Sequence, residues 1–298
     1  MTTPLPATVI GGYLGAGKTT LVNQLLRHAD GQRLAILVNE FGALPIDEDL
    51  IEAQSDDLIS IAGGCICCSF GSDLTAALID LAALDPRPDH VVIESSGVAM
   101  PGAIGASIGL LEDFALAGVV VLADAETVRS HARDEYLGDT TLRQLRDAHV
   151  IIQTKTDLVS ADEAAAVSDW LKTVNPKAAV VAAAHGQVPN AVVLGSGASP
   201  RTAVPSEHSD AAFESRVYRV DGPRDAGRIA EALSSGGYGV VRGKGFVECH
   251  GGETQLIQTV GARATVAPYQ GEVPFEVVCI GLRGQLDTAG LAAVFAAH

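Results

Sequence analysis

The sequence is short of positive charge: 20 Lys and Arg stand against 36 Asp and Glu, a formal net charge of −16. Such a surface repels phosphate backbones, so nucleic acid is excluded as an expected partner. It also lacks any apolar run near the roughly 20 residues that span a bilayer, so no membrane partner is expected. Residues 1–8 hold no basic group ahead of an apolar stretch, as a secretory leader would. The expected location is the cytoplasm. Cysteine is scarce, with five in the chain, but three of them (Cys65, Cys67 and Cys68) fall within four residues, while Cys249 and Cys279 stand alone. Thiols that close cannot all pair with one another in unstrained disulfides. In a reducing compartment such a cluster is more often a metal or redox site.

What is present is a large apolar fraction, 47%, enough for a sizeable core, in a chain of 298 residues whose length suggests two domains or one large α/β domain with an appendage. Short apolar runs at 8–10, 34–38, 58–61, 91–93, 119–122, 150–153 and 179–182 have strand length. Amphipathic helical patterns lie between several of them, at 19–29, 73–84 and 162–174, the last with Ser160 and Glu163 in capping-box spacing. Strands separated by helices predict an α/β domain with a doubly wound, mainly parallel sheet over residues 1–185. Residues 186–212, rich in Gly, Ser, Pro and Ala, predict a linker or long loop. Residues 213–298 predict a smaller α+β domain, with strands at 213–220, 238–249, 255–266 and 277–282 and helices at 225–233 and 288–297.

The chemistry begins at Gly12-Tyr13-Leu14-Gly15-Ala16-Gly17-Lys18-Thr19, which fits the phosphate-loop pattern G-x-x-x-x-G-K-[ST] directly after the first predicted strand. The glycines let backbone N–H groups turn inward toward phosphates at a helix N-terminus. Lys18 brings a point charge to the β and γ phosphates, and Thr19 brings a hydroxyl to magnesium. A glycine turn before a helix would need neither Lys nor Thr at those positions. Glu94, in the strand-end segment Glu94-Ser95-Ser96-Gly97, is placed to hold magnesium, and Gly97 can bring its N–H to a γ phosphate. A solvated strand end is the plainer alternative for Glu94.

Base choice falls to Thr154-Lys155-Thr156-Asp157 at the end of a buried strand. It follows the N/T-K-x-D pattern in which the Asp carboxylate accepts two hydrogen bonds from guanine that adenine cannot offer. GTP is therefore expected over ATP, although Thr154 stands where Asn is commoner and a polar surface loop would look similar. Gly63-Gly64-Cys65-Ile66-Cys67-Cys68 supplies soft thiolate ligands suited to zinc, cobalt or copper(I). Adjacent residues of an extended chain face opposite ways, so Cys67 or Cys68 can instead be a small buried hydrophobe. Three ligands leave a position open, which suits delivery better than permanent structure. Glu40 and Asp47, in the loop after the second strand, are candidate metal ligands or ordinary solvated acids.

Together these residues resemble the CobW family of P-loop GTPases, relatives of the nickel-insertion GTPases of urease and hydrogenase maturation. The resemblance runs over essentially the whole chain, through the phosphate loop to Thr20, Asn39-Glu40-Phe41-Gly42, the cysteine cluster, Glu94-Ser95-Ser96-Gly97, Thr154-Lys155-Thr156-Asp157, Arg242-Gly243-Lys244-Gly245-Phe246 and Ile280-Gly281-Leu282. It implies slow GTP hydrolysis with Mg2+, coupled to handling of zinc (ahead of cobalt), and a metal-dependent client protein. Three features depart from the family pattern: Ala43 in place of a common acid, Thr154 in place of Asn, and a linker whose only nearby histidines are His185 and His208. The last leaves the cysteine cluster nearly alone as a cargo site. Two rivals remain: a metal or redox sensor that delivers nothing, and a small-molecule kinase, against which Asp157 argues. A homo-oligomer is left open.

Overall fold

The structure is a computed structural model that describes residues 3–29, 31–39, 58–63, 72–184, 187–195 and 213–296. The chain divides into two compact units, Met1–Asn190 and Ala191–His298. The first carries strands β1 (Leu5–Gly12), β2 (Leu34–Asn39), β3 (Leu58–Gly63), β4 (His90–Glu94), β5 (Phe114–Asp124), β6 (Val150–Thr154) and β7 (Ala179–Ala182). Its helices are α1 (Lys18–Arg27), α2 (Ser72–Ala82), α3 (Pro101–Ile108), α4 (Val128–His131), α5 (Gly138–Asp147) and α6 (Ala161–Val174).

Among the described residues the seven strands form one sheet in the order β3-β2-β4-β1-β5-β6-β7, and every neighbouring pair is parallel. β4 and β6 are buried along their whole length, as strands covered on both faces must be. Val9, Leu37, Ile93, Val121 and Ile151 share a core with Leu78 of α2, Ile108 of α3, Leu145 of α5 and Leu171 of α6. The alternate residues Ile10 and Ile36 are equally buried, and α1 packs on β1 and β4 outside that core. The predicted doubly wound parallel sheet is thus present. Its strand order reverses around β1, and the crevice beyond the carboxyl ends of strands at such a point is where this class of sheet binds ligands. β5 is longer than the predicted 119–122: it begins at Phe114, in a stretch of mostly small, partly buried residues without β-branched side chains. Ser160 and Glu163 form the predicted capping box at the start of α6.

A short helix, α7 (Asn190–Val193), lies within the stretch predicted as a linker or loop and starts at the boundary between the units; the second unit then holds β8 (Phe213–Arg219), α8 (Ala226–Ser234), β9 (Val240–Glu248), β10 (Thr254–Val260), β11 (Arg263–Pro268), β12 (Glu276–Leu282) and α9 (Thr288–Phe295). Its sheet runs β11-β10-β9-β12-β8 with antiparallel pairing throughout. The strand predicted over 255–266 is two strands. A two-residue turn at Gly261-Ala262 folds β11 back onto β10, with Gly261 at φ 53°, a backbone state glycine reaches without strain. Ile229 and Leu233 of α8 and Leu291 and Phe295 of α9 close a core over Val247, Ile257 and Val277. No described helix is long and apolar enough to cross a membrane.

β9 lies against β12 so closely that a Cβ at Gly245 would sit 2.0 Å from the Glu276 carbonyl oxygen, whereas Gly251 has open space around it. Gly245→Ala is expected to cost about 3 kcal/mol or more through overpacking, while Gly251→Ala changes stability by about 0.5 kcal/mol or less. Urea melts of the two variants check this.

Candidate nucleotide site

β1 ends at Gly12, and the chain turns through a loop before α1 begins at Lys18. A side chain at Gly12 would place a Cβ 2.6 Å from the Leu122 carbonyl oxygen of β5, and Gly12 sits at φ 133°. Gly17, the N-cap of α1, is also left-handed, at φ 96°. Both positions therefore require glycine. No side chain caps the N-terminus of α1, which leaves its first N–H groups for a partner outside the helix. The buried Lys18 ammonium folds back over this loop and donates to the carbonyls of Gly12 (3.0 Å) and Tyr13 (3.3 Å).

Register between strands completes the phosphate end. Ile10 of β1 pairs with Glu94 of β4, which sets the buried Glu94 beside the first turn of α1. The Thr19 hydroxyl donates to Glu94 Oε1 at 3.0 Å. The two residues expected to hold magnesium are thus in direct contact. A hydroxyl and a carboxylate converging next to a phosphate cradle are the hard oxygen donors that this ion takes, so the residues fit it. Gly97 packs against Leu14 of the phosphate loop, where a Cβ would come within 2.6 Å of Leu14 Cδ2 and 2.8 Å of its backbone nitrogen.

The base end hangs from β6. The Thr154 hydroxyl donates to the Ala16 carbonyl at 2.9 Å and is buried, so the residue that departs from the commoner Asn ties the base loop to the phosphate loop. Lys155 adopts a left-handed backbone (φ 57°). Its ammonium pairs at 2.6 Å with Asp124 Oδ2 at the end of β5, a carboxylate 9% exposed. Asp157 follows in a 3-10 turn (Thr156–Leu158), exposed to solvent. Asp124 was missed in the sequence, because a single acid at a strand end carries no motif. Its role comes from the β5–β6 pairing, in which Asp124 stands opposite Thr154.

The cysteine cluster Cys65, Cys67 and Cys68 and the acids Glu40 and Asp47 lie outside the described residues, as do His185 and His208. In the sequence the cysteines follow Gly63 and the two acids follow Asn39, partners at the carboxyl ends of β3 and β2. Among the described residues no group of three His, Cys, Asp or Glu side chains converges to hold a metal. Burial pushes the Cys279 thiol up to about 12, so it stays protonated at neutral pH.

Comparison with known proteins places the chain. Residues 6–182 match the CobW/HypB/UreG nucleotide-binding domain, and residues 213–298 match the cobalamin synthesis protein cobW C-terminal domain. The chain belongs to the CobW/HypB/UreG family. It is a P-loop GTPase. It is 31% identical over 304 residues to the zinc chaperone CobW of Sinorhizobium sp, covering 87% of this chain and 86% of the relative. It is 36% identical over 195 residues to the zinc chaperone YjiA of Escherichia coli, covering 62% of this chain and 59% of that one. The crystal structure of Zn(II)-bound YjiA GTPase from E. coli aligns over 99% of this chain and 98% of its own, with 25% identity and a TM-score of 0.50.

The Lys155–Asp124 pair fixes the backbone on which Asp157 is carried. Asp124→Ala is expected to weaken GDP binding about tenfold, the size of one charge-assisted hydrogen bond. Titration with a fluorescent guanine nucleotide measures it.

Proposed function

We propose that this GTPase binds Mg2+–GTP at the site above, carries zinc as cargo on Cys65, Cys67 and Cys68, and hands it to a metal-dependent client protein. The observation that carries the nucleotide half is the Thr19–Glu94 contact at the mouth of the phosphate loop. The metal half rests on the cysteine cluster that follows β3 and on the relatives named zinc chaperones. Zinc is favoured over cobalt on the same ground, since thiolates accept both.

In this reading the N–H groups of Gly15, Ala16 and Gly17 hold the phosphates, with Lys18 bridging β and γ oxygens and Thr20 in the first turn of α1 beside them. Thr19 and Glu94 would ligate magnesium, which supplies positive charge against the phosphate oxygens. Thr154 and Lys155 position the loop from which Asp157 accepts the guanine N–H groups. Gly97 N–H meets the γ phosphate and reports its presence. Intrinsic turnover is slow, on the order of 10⁻³ s⁻¹, as in switch GTPases without an activator. GTP orders the segments that follow β2 and β3, with Glu40 and Asp47 as further candidate ligands, and zinc affinity rises in that state. Linkage makes the effect reciprocal, so zinc favours GTP by the same factor.

The test is a zinc titration against a chromophoric chelator with Mg2+–GTP, with Mg2+–GDP and without nucleotide. It compares the wild type with the Cys65/Cys67/Cys68→Ser variant. Zinc binding at least tenfold tighter with GTP, and lost in the variant, is the expected result. Equal binding by both proteins under all three conditions would remove the carrier reading and leave a GTPase switch. Cobalt in place of zinc decides the metal.

A further inference from the structure

Gln144 lies on α5, outside every motif of the sequence, and is 1% exposed. Its side-chain amide Nε2 donates to two backbone carbonyls of one short segment, Gly97 (3.0 Å) and Ala99 (2.8 Å). Residues 96–99 form a turn closed by the Ala99 N–H donating to the Ser96 carbonyl at 3.1 Å. One buried amide therefore clasps the turn that begins at the end of the Glu94-Ser95-Ser96-Gly97 segment. On its other side the turn meets the phosphate loop, since Gly97 lies in contact with Leu14 down to that residue's backbone nitrogen.

A buried Gln amide must find its partners within the protein. Here both bonds leave α5 and go to residues 47 and 45 positions away. Burial makes such bonds costly to break without replacement. Leu14 and Gln144 also border one cavity of about 10 Å³, together with Thr141, whose buried hydroxyl has no hydrogen-bond partner among the described residues. The cavity is no larger than about one water molecule, so the clasp stands in close-packed surroundings and is held in place.

We propose that Gln144 is a positioning residue for the γ phosphate. By holding the Gly97 and Ala99 carbonyls it keeps the Gly97 N–H at the phosphate loop before nucleotide arrives. The inference rests on the reading of Gly97 as the γ-phosphate contact. Preorganisation lowers the ordering cost of binding the group that makes the contact. GDP lacks that group, so its affinity is independent of the clasp. Gln144 consequently sets the preference for triphosphate over diphosphate, and with it the coupling of nucleotide state to anything the switch controls.

The experiment measures, on the full chain with Mg2+, the dissociation constants of GDP and of a guanosine triphosphate analogue with a β–γ imide bridge. Gln144→Met removes both donors at similar volume. Gln144→Glu keeps the shape and replaces the donating amide with a carboxylate, so a second folded protein is at hand if the first is unstable. Thermal melts verify folding. For both variants the triphosphate-to-diphosphate affinity ratio is expected to fall about tenfold, with GDP affinity unchanged and kcat for GTP lowered. Parallel weakening of both nucleotides, an unchanged ratio, or a ratio that rises would each overturn the proposal. Gly97→Ala, measured alongside, separates the two ways of failing. If it alone lowers the ratio, the clasp falls and the Gly97 contact stands. If neither position moves the ratio, the Gly97 reading falls as well.

Discussion

The register of β1 between β4 and β5 is the constraint on which the site depends. Ile10 opposite Glu94, and Gly12 opposite Leu122, place three strand ends at one level of the sheet. Because side chains alternate along a strand, a slip of one residue would turn Glu94 to the other face and part it from Thr19. The same slip would turn the core residues Ala7 and Val9 away from α2, α3, α5 and α6. Packing of these residues against the helices holds the register, and the register holds the Thr19–Glu94 contact. The remaining contacts are tethers laid across this frame: Thr154 to Ala16, Lys155 to Asp124, and Gln144 to Gly97 and Ala99.

A chain with a net charge of −16 that holds a nucleotide must concentrate positive potential locally. The phosphate loop does so with backbone dipoles at the start of α1 and with one lysine, whose ammonium is held over the loop by carbonyls of the loop itself. The arrangement needs no basic surface to hold a polyphosphate. Thiol chemistry is similarly local. Burial keeps the Cys279 thiol protonated at neutral pH.

Much of the fold was legible in the sequence, because a parallel sheet buried on both faces writes itself as unbroken apolar runs such as Val91-Val92-Ile93 and Val150-Ile151-Ile152. The hairpin of β10 and β11 was not. Its second strand is largely exposed and its turn rests on one glycine, Gly261, so hydrophobic pattern marks neither. In the site, Lys18, Thr19, Glu94 and Asp157 stood out because phosphate and guanine impose fixed residue types at fixed spacings. Asp124 and Gln144 did not, because each acts on residues 31 to 47 positions away and belongs to no local pattern.

The sequence by itself determined the chemistry on offer: a phosphate loop, a guanine-type base loop, a strand-end carboxylate and a cluster of three thiols. Those choices are local, since each is made by a few consecutive residues whose backbone and functional groups face one ligand. The tertiary structure alone decided which groups meet. Thr19 reaches Glu94, Leu14 rests on Gly97, and an amide from α5 holds the turn beyond it. These are contacts across the sheet's carboxyl edge, and only strand order and register, set by burial of the whole core, can bring their partners together.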